Sequence, residues 1–140
     1  TQGFEKISEI LDTNLKGVIF TARCVIERMI QKKSGRIINI SSVSGCQGIE
    51  NQAVYSASKH ALIGFAESLS HELTNTGVQI TTLCPGGIDT PLWNETNLYE
   101  GDKGKLLTAA DVCRLILFIS EQPSRIIFKS VVFYPSNEVH

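Results

Sequence analysis

Three stretches with helical apolar spacing alternate with three short apolar runs, and that order restricts this chain to very few folds. Positions 12–32 place Leu15, Ile19, Ala22, Ile26 and Met29 on one side of a helix, with Leu11 and Ile30 extending the stripe. Ser34 and Gly35 end it. The run 36–40 shows little alternation, as expected of a strand buried on both faces of a parallel sheet. A second helix is predicted over 52–75, ended by Gly77, and a second strand over 78–84, stopped by Pro85, Gly86 and Gly87. A polar loop follows over 89–107. Thr108 and Asp111 then occupy capping-box positions for a third helix that must stop before Pro123, and 126–134 predicts the last strand. Helices linking successive strands imply an α/β fold, a parallel sheet wound by right-handed crossovers, in one domain spanning 1–140.

At 140 residues, 42% of them hydrophobic and 19% charged, the chain is long enough to bury most of an apolar core. A net charge of −1 gives no electrostatic reason to bind nucleic acid or an anionic membrane. No apolar run approaches the ~18 residues of a membrane span. The first residues, Thr1 to Lys6, carry no secretory signal pattern, so a cytoplasmic location is expected. Cys24, Cys46, Cys84 and Cys113 include no C-x-x-C pair. With three scattered histidines they predict reduced thiols and no metal site.

Tyr55 and Lys59 stand one helical turn apart on the second predicted helix, hence on one face. Ser42 precedes Tyr55 by thirteen residues and falls at the end of the first predicted strand. A phenol, an ammonium and a hydroxyl held together can protonate a carbonyl oxygen or deprotonate an alcohol. A phenol titrates near ~10 in isolation, and a neighbouring cation is expected to lower that value. Taken alone, Tyr-x-x-x-Lys is short and common, and describes equally well an amphipathic helix whose lysine snorkels.

Four motifs in order extend the pattern. They are Asn14 within Thr-Asn-Leu-Lys-Gly, Gly35-Arg-Ile-Ile-Asn-Ile-Ser-Ser-Val-Ser-Gly45, Tyr55-Ser-Ala-Ser-Lys59-His-Ala-Leu, and Cys84-Pro-Gly-Gly-Ile-Asp-Thr90. Through them the chain resembles the second half of the short-chain dehydrogenase/reductase family, over residues 8–92. The resemblance implies a catalytic tetrad of Asn14, Ser42, Tyr55 and Lys59, with NADP or NAD as cofactor and a small carbonyl or alcohol as substrate. Tyr55 would be the acid in reduction and the base in oxidation. Lys59 would lower the Tyr55 pKa and hydrogen-bond the nicotinamide ribose, which Tyr55 also borders. Ser42 would polarise the carbonyl, and Asn14 would hold a water in a proton relay to Lys59. Pro85, Gly86, Ile88 and Thr90 match the segment beside the nicotinamide, with Gly86 and Gly87 leaving room for a ligand to approach the backbone.

The glycine-rich fingerprint of the family's first half does not occur; Gly45-Cys-Gln-Gly48 lacks the G-x-G-x-x-G arrangement. The expected fold is therefore a partial Rossmann-like, doubly wound sheet of three strands and three helices, the C-terminal portion of a longer enzyme and inactive by itself. Its strand 36–40 would then be an exposed apolar edge. The last strand lacks the flanking Thr-Gly and Asp-Gly-Gly of many members. It is closer to the branch of 3-hydroxy-acid dehydrogenases and sepiapterin reductase-like proteins. Leu92, Trp93, Leu98 and Tyr99, with Gly101 and Gly104, fall where the family has a mobile substrate lid, which suggests an apolar or aromatic substrate. The same side chains could simply pack the loop onto the sheet.

Thr13, Gly17, Phe20 and Cys24 line a second side of the first helix, and Ala57, Ala61, Gly64 and Ser68 a small-residue strip on the next. Two-sided helices suggest a homodimer or homotetramer through 12–32 and 52–75, though tolerant surface positions would look alike. Two rival functions fit these residues less well. A non-catalytic binding or dimerising module has no physical need for Ser42, Tyr55 and Lys59 together. A hydrolase would need a G-x-S-x-G elbow and a histidine placed to activate Ser42, and neither is found.

Overall fold

The computed structural model describes residues 3–91 and 102–138. Helix α1 (Phe4–Leu11) runs without a break through a π-helical turn, Asp12–Lys16, into α2 (Gly17–Gln31). Strand β1 (Gly35–Ile40) follows, then a short 3₁₀ turn, Val43–Gly45, helix α3 (Ala53–Glu72) and strand β2 (Val78–Pro85). A second 3₁₀ turn, Lys103–Lys105, leads to α4 (Ala109–Glu121) and β3 (Ser130–Phe133).

The three strands are all parallel, in the order β1-β2-β3. Because neighbouring side chains on a strand point to opposite faces, the sheet buries two separate apolar surfaces. On one, Val78 and Ile80 of β2 pack with Ala66 and Leu73, joined by Ile26 and Met29 of α2 and Ile37 of β1. On the other, Leu83 meets Val112 and Ile119 of α4, with Ile38, Val131 and Phe133 around them. Helices on both faces make the sheet doubly wound, as the element order predicts. Among the described residues β1 pairs only with β2, so it is an edge strand, and Ile40 at its end is 39% exposed.

Three expectations need correction. The first helix begins at Phe4 rather than at position 12, because Asp12 has the chemistry of an N-cap but sits in mid-helix with α-region backbone. Gly77 does not terminate α3, which ends at Glu72; its φ of +82° instead carries the chain into β2. A Cβ on Gly77 would overlap the Lys33 carbonyl, so only glycine lets the two helix-to-strand turns cross there. The last strand forms a ladder only over Ser130–Phe133. Ahead of it, side chains of β2 hold the chain instead: Gln79 Nε2 donates to Ser124 O at 2.6 Å and Thr81 Oγ1 to Phe128 O at 2.7 Å. The capping box at Thr108 forms as predicted, with Asp111 N donating to Thr108 Oγ1 at 3.2 Å.

Candidate active site

Ser42 sits directly after β1, where extended backbone (φ −167°, ψ 163°) ends the strand and opens the 3₁₀ turn. Its Oγ accepts the Ser44 N–H at 3.1 Å, which fixes the side chain and leaves its own proton to donate. Helix α3 runs beside this turn and presents Tyr55 and Lys59 from adjacent turns, both half-buried. The Ser42 side chain is near enough to the Tyr55 phenol to favour its ionised form. Lys59 Nζ lies 5.6 Å from the centre of the Tyr55 ring and donates to Ile40 O at 3.1 Å. Serine, tyrosine and lysine thus meet where β1 ends against α3.

The neighbouring Ser41 has a different job. Its buried hydroxyl donates to Lys59 O at 2.9 Å, and a Cβ on Gly45 would stand 2.8 Å from the same carbonyl. Ser41 and Gly45 therefore clamp the strand end to the helix at the level of Lys59. Ser42 is left facing Tyr55.

Asn14 lies in the π-helical turn, a distortion that frequently accompanies functional sites. Its Nδ2 donates to Ser58 Oγ at 3.2 Å, and Ser58 Oγ donates to Tyr55 O at 2.7 Å. The Asn14 side chain thus reaches the backbone of the Tyr55 turn through Ser58, and not Lys59 itself. Sequence reasoning missed Ser58, whose bond to Asn14 spans 44 positions.

Electrostatics at the site run against one expectation. Burial pushes the Tyr55 phenol up from its ordinary value, and the nearby Ser42 side chain offsets this only partly. Burial likewise pushes the Lys59 ammonium down. The anticipated lowering of Tyr55 fails because both groups lose water here and the ammonium turns to the Ile40 carbonyl. The Cys84 thiol, fully buried at the end of β2, is pushed up to about 12 by burial and by the Cys46 thiol beside it.

Pro85 closes β2, and the segment after it is held from two sides. Gly86 N donates to Phe133 O at 2.8 Å, while Leu107 N donates to Gly87 O at 3.0 Å and Asp89 N to Leu107 O at 2.8 Å. Ile88 forms a parallel bridge with Leu107, and Thr90 lies half-buried at a bend. The two glycines do not keep space for a ligand in this structure. A Cβ on Gly86 would stand 2.7 Å from Glu138 Oε2, and one on Gly87 would stand 2.5 Å from Glu138 Oε1 and 2.6 Å from Leu106 Cδ2. Glu138 Oε2 accepts the Gly87 N–H at 3.0 Å. No local sequence signal marks Glu138, because its partner is 51 positions away.

Leu92, Trp93, Leu98, Tyr99 and Gly101 lie outside the described residues. Gly104, exposed, donates its N–H to Asp102 Oδ1 at 3.0 Å. Among the described residues no cluster of metal-ligating side chains occurs, and no helix is long and apolar enough to cross a membrane. A cavity of about 160 Å³ opens between α3 and β3, bordered by Ser70, His71, Thr82 and Lys129, but none of the four candidate catalytic residues borders it.

The family model described as short chain dehydrogenase matches residues 2–101. An uncharacterised oxidoreductase of Staphylococcus saprophyticus is 35% identical over 126 residues, covering 90% of this chain and 53% of that protein. Serine dehydrogenase from Escherichia coli superposes with a TM-score of 0.87 at 26% identity, covering 100% of this chain and 58% of that one. A closed form of serine dehydrogenase complexed with NADP+ superposes with a TM-score of 0.91 at 27% identity, again covering 100% of this chain and 60% of that one. The chain spans about half the length of the curated relatives it matches.

Proposed function

Because the chain belongs to the short-chain dehydrogenase/reductase family, we propose that it carries the acid–base residues of an NAD(P)-dependent oxidoreductase that interconverts an alcohol and a carbonyl. One observation supports this above the rest: Ser42, Tyr55 and Lys59 converge where β1 ends against α3, with Lys59 Nζ 5.6 Å from the centre of the Tyr55 ring and bonded to Ile40 O, two residues before Ser42. The donor set fits the nicotinamide end of a dinucleotide, offering a hydroxyl and an ammonium for a ribose next to the backbone of 85–90. A nicotinamide bound there would supply or accept the hydride.

The chain's own residues handle the proton. Ser42 orients the substrate oxygen and steadies the charge that builds on it. Tyr55, a phenol protonated at neutral pH and held so more firmly by burial, delivers its proton to that oxygen during reduction. In the reverse direction its phenolate takes the proton from the alcohol. Lys59 holds positive charge within reach of the phenol ring, and Asn14 braces the turn that carries Tyr55 through Ser58. The NADP+ complex of a structural relative supports NADP as the cofactor. Ile88 and Thr90 would contact the carboxamide. The protein acts on a small molecule and self-associates through α2 and α3.

The test is an assay of the whole protein against a panel of aldehydes and ketones, with reduced NADP or NAD consumption as readout. Turnover with at least one pair is expected, falling about a hundredfold or more in Ser42→Ala. Absence of turnover with both cofactors across the panel contradicts the reading.

A further inference from the structure

We propose that Glu138 is a positioning residue for the cofactor: its carboxylate pins the turn at Gly86 and Gly87 so that Ile88 and Thr90 are presented to the nicotinamide. This rests on the functional reading above and adds to it a residue outside its tetrad and cofactor segment. Three contacts carry it. The Gly87 N–H donates to Glu138 Oε2 at 3.0 Å, and a charged acceptor makes such a bond stronger than a neutral one. Both glycines are packed against the same carboxylate, which would stand 2.7 Å and 2.5 Å from added Cβ atoms at Gly86 and Gly87. The chain that brings Glu138 here is itself tied down: Gly86 N donates to Phe133 O at 2.8 Å, and Glu138 N to Pro135 O at 3.0 Å.

The turn is therefore gripped between the tail on one side and Leu106 and Leu107 on the other. Backbone hydrogen bonds from Leu107 would hold the segment without Glu138, but they act at the carbonyl of Gly87 and at Asp89. Only Glu138 holds the Gly87 N–H. Releasing it frees the peptide between β2 and Ile88 to rotate, which misplaces the very backbone that meets the carboxamide.

Gln keeps an acceptor oxygen at this position and Leu does not, so E138Q and E138L separate the hydrogen bond from bulk packing. Two measurements on the whole protein are compared, amide exchange at Gly87 without cofactor and the Kd for NADPH by titration. In E138L, exchange at Gly87 is expected to speed up and the Kd to rise, each by about tenfold, with E138Q falling between E138L and wild type because its acceptor is neutral. Unchanged exchange in E138L, or faster exchange with an unchanged Kd, overturns the proposal. Failure of the wild-type protein to bind either cofactor would sink the functional reading and this inference with it. A loss confined to E138L bears on Glu138 alone.

Discussion

Tyr55 is a phenol in a half-buried position, next to a lysine that has turned to a backbone carbonyl. Its proton is consequently held more tightly than in water. In the cofactor-free protein, the ultraviolet titration of wild type minus that of Tyr55→Phe should show a midpoint above the ~10 of a free phenol; a midpoint below it contradicts the burial account. The linkage has a sign. Between the ordinary value and the raised one, the native chain keeps a proton that the unfolded chain has released, so stability falls as pH climbs through that window. The choice of Ser42 over Ser41 came from the family's distance to the tyrosine, and the structure engages Ser41 elsewhere, its hydroxyl donating to Lys59 O. Ser58 and Glu138 were not legible. Each meets its partner only after the chain has folded back over more than 40 positions, and neither carries a local signal. The direction of the Tyr55 shift was misjudged for a related reason, since spacing places a cation nearby but does not say how much water leaves with it.

At the scale of elements, the sequence announced helices and strands through periodicity and caps, and these survived wherever local chemistry and packing agreed. The box at Thr108 and Asp111 is the clearest instance. Ends were less legible. Asp12 imitates a helix start, yet the helix runs back to Phe4 and half-buries Ile7 and Ile10. The segment before β3 looks like a strand because it is apolar, but the Thr81 hydroxyl takes the Phe128 carbonyl and the paired ladder begins only at Ser130. Gly77 was noticed for the wrong reason. With φ at +82° and the Lys33 carbonyl against its missing Cβ, Gly77→Ala should lower stability by about 1–3 kcal/mol from backbone strain alone, and more from the overlap. Urea unfolding measures it, and a loss under about 0.5 kcal/mol contradicts the crossing-turn account.

Across the whole molecule, one sheet separates two apolar layers, and the candidate site lies at the C-terminal ends of β1 and β2 where such sheets present their ligands. The doubly wound architecture was readable because alternating helices and strands admit few arrangements. What covers the outer surfaces was not. Phe20 is 65% exposed, and a Cβ on Gly64 would meet nothing within 4 Å, so neither is explained by packing inside this chain. If those surfaces join copies, Phe20→Lys and Gly64→Lys should each weaken self-association by about tenfold or more in sedimentation, whereas unchanged mass distributions contradict that role. The central claim is that the Tyr55 hydroxyl moves the proton in a nicotinamide-dependent reaction. It is tested most directly by comparing turnover of the whole protein with that of its Tyr55→Phe variant, alongside the Kd for NADPH. A fall of about a hundred- to ten-thousand-fold in kcat with little change in Kd is expected. Equal turnover in the two proteins contradicts it.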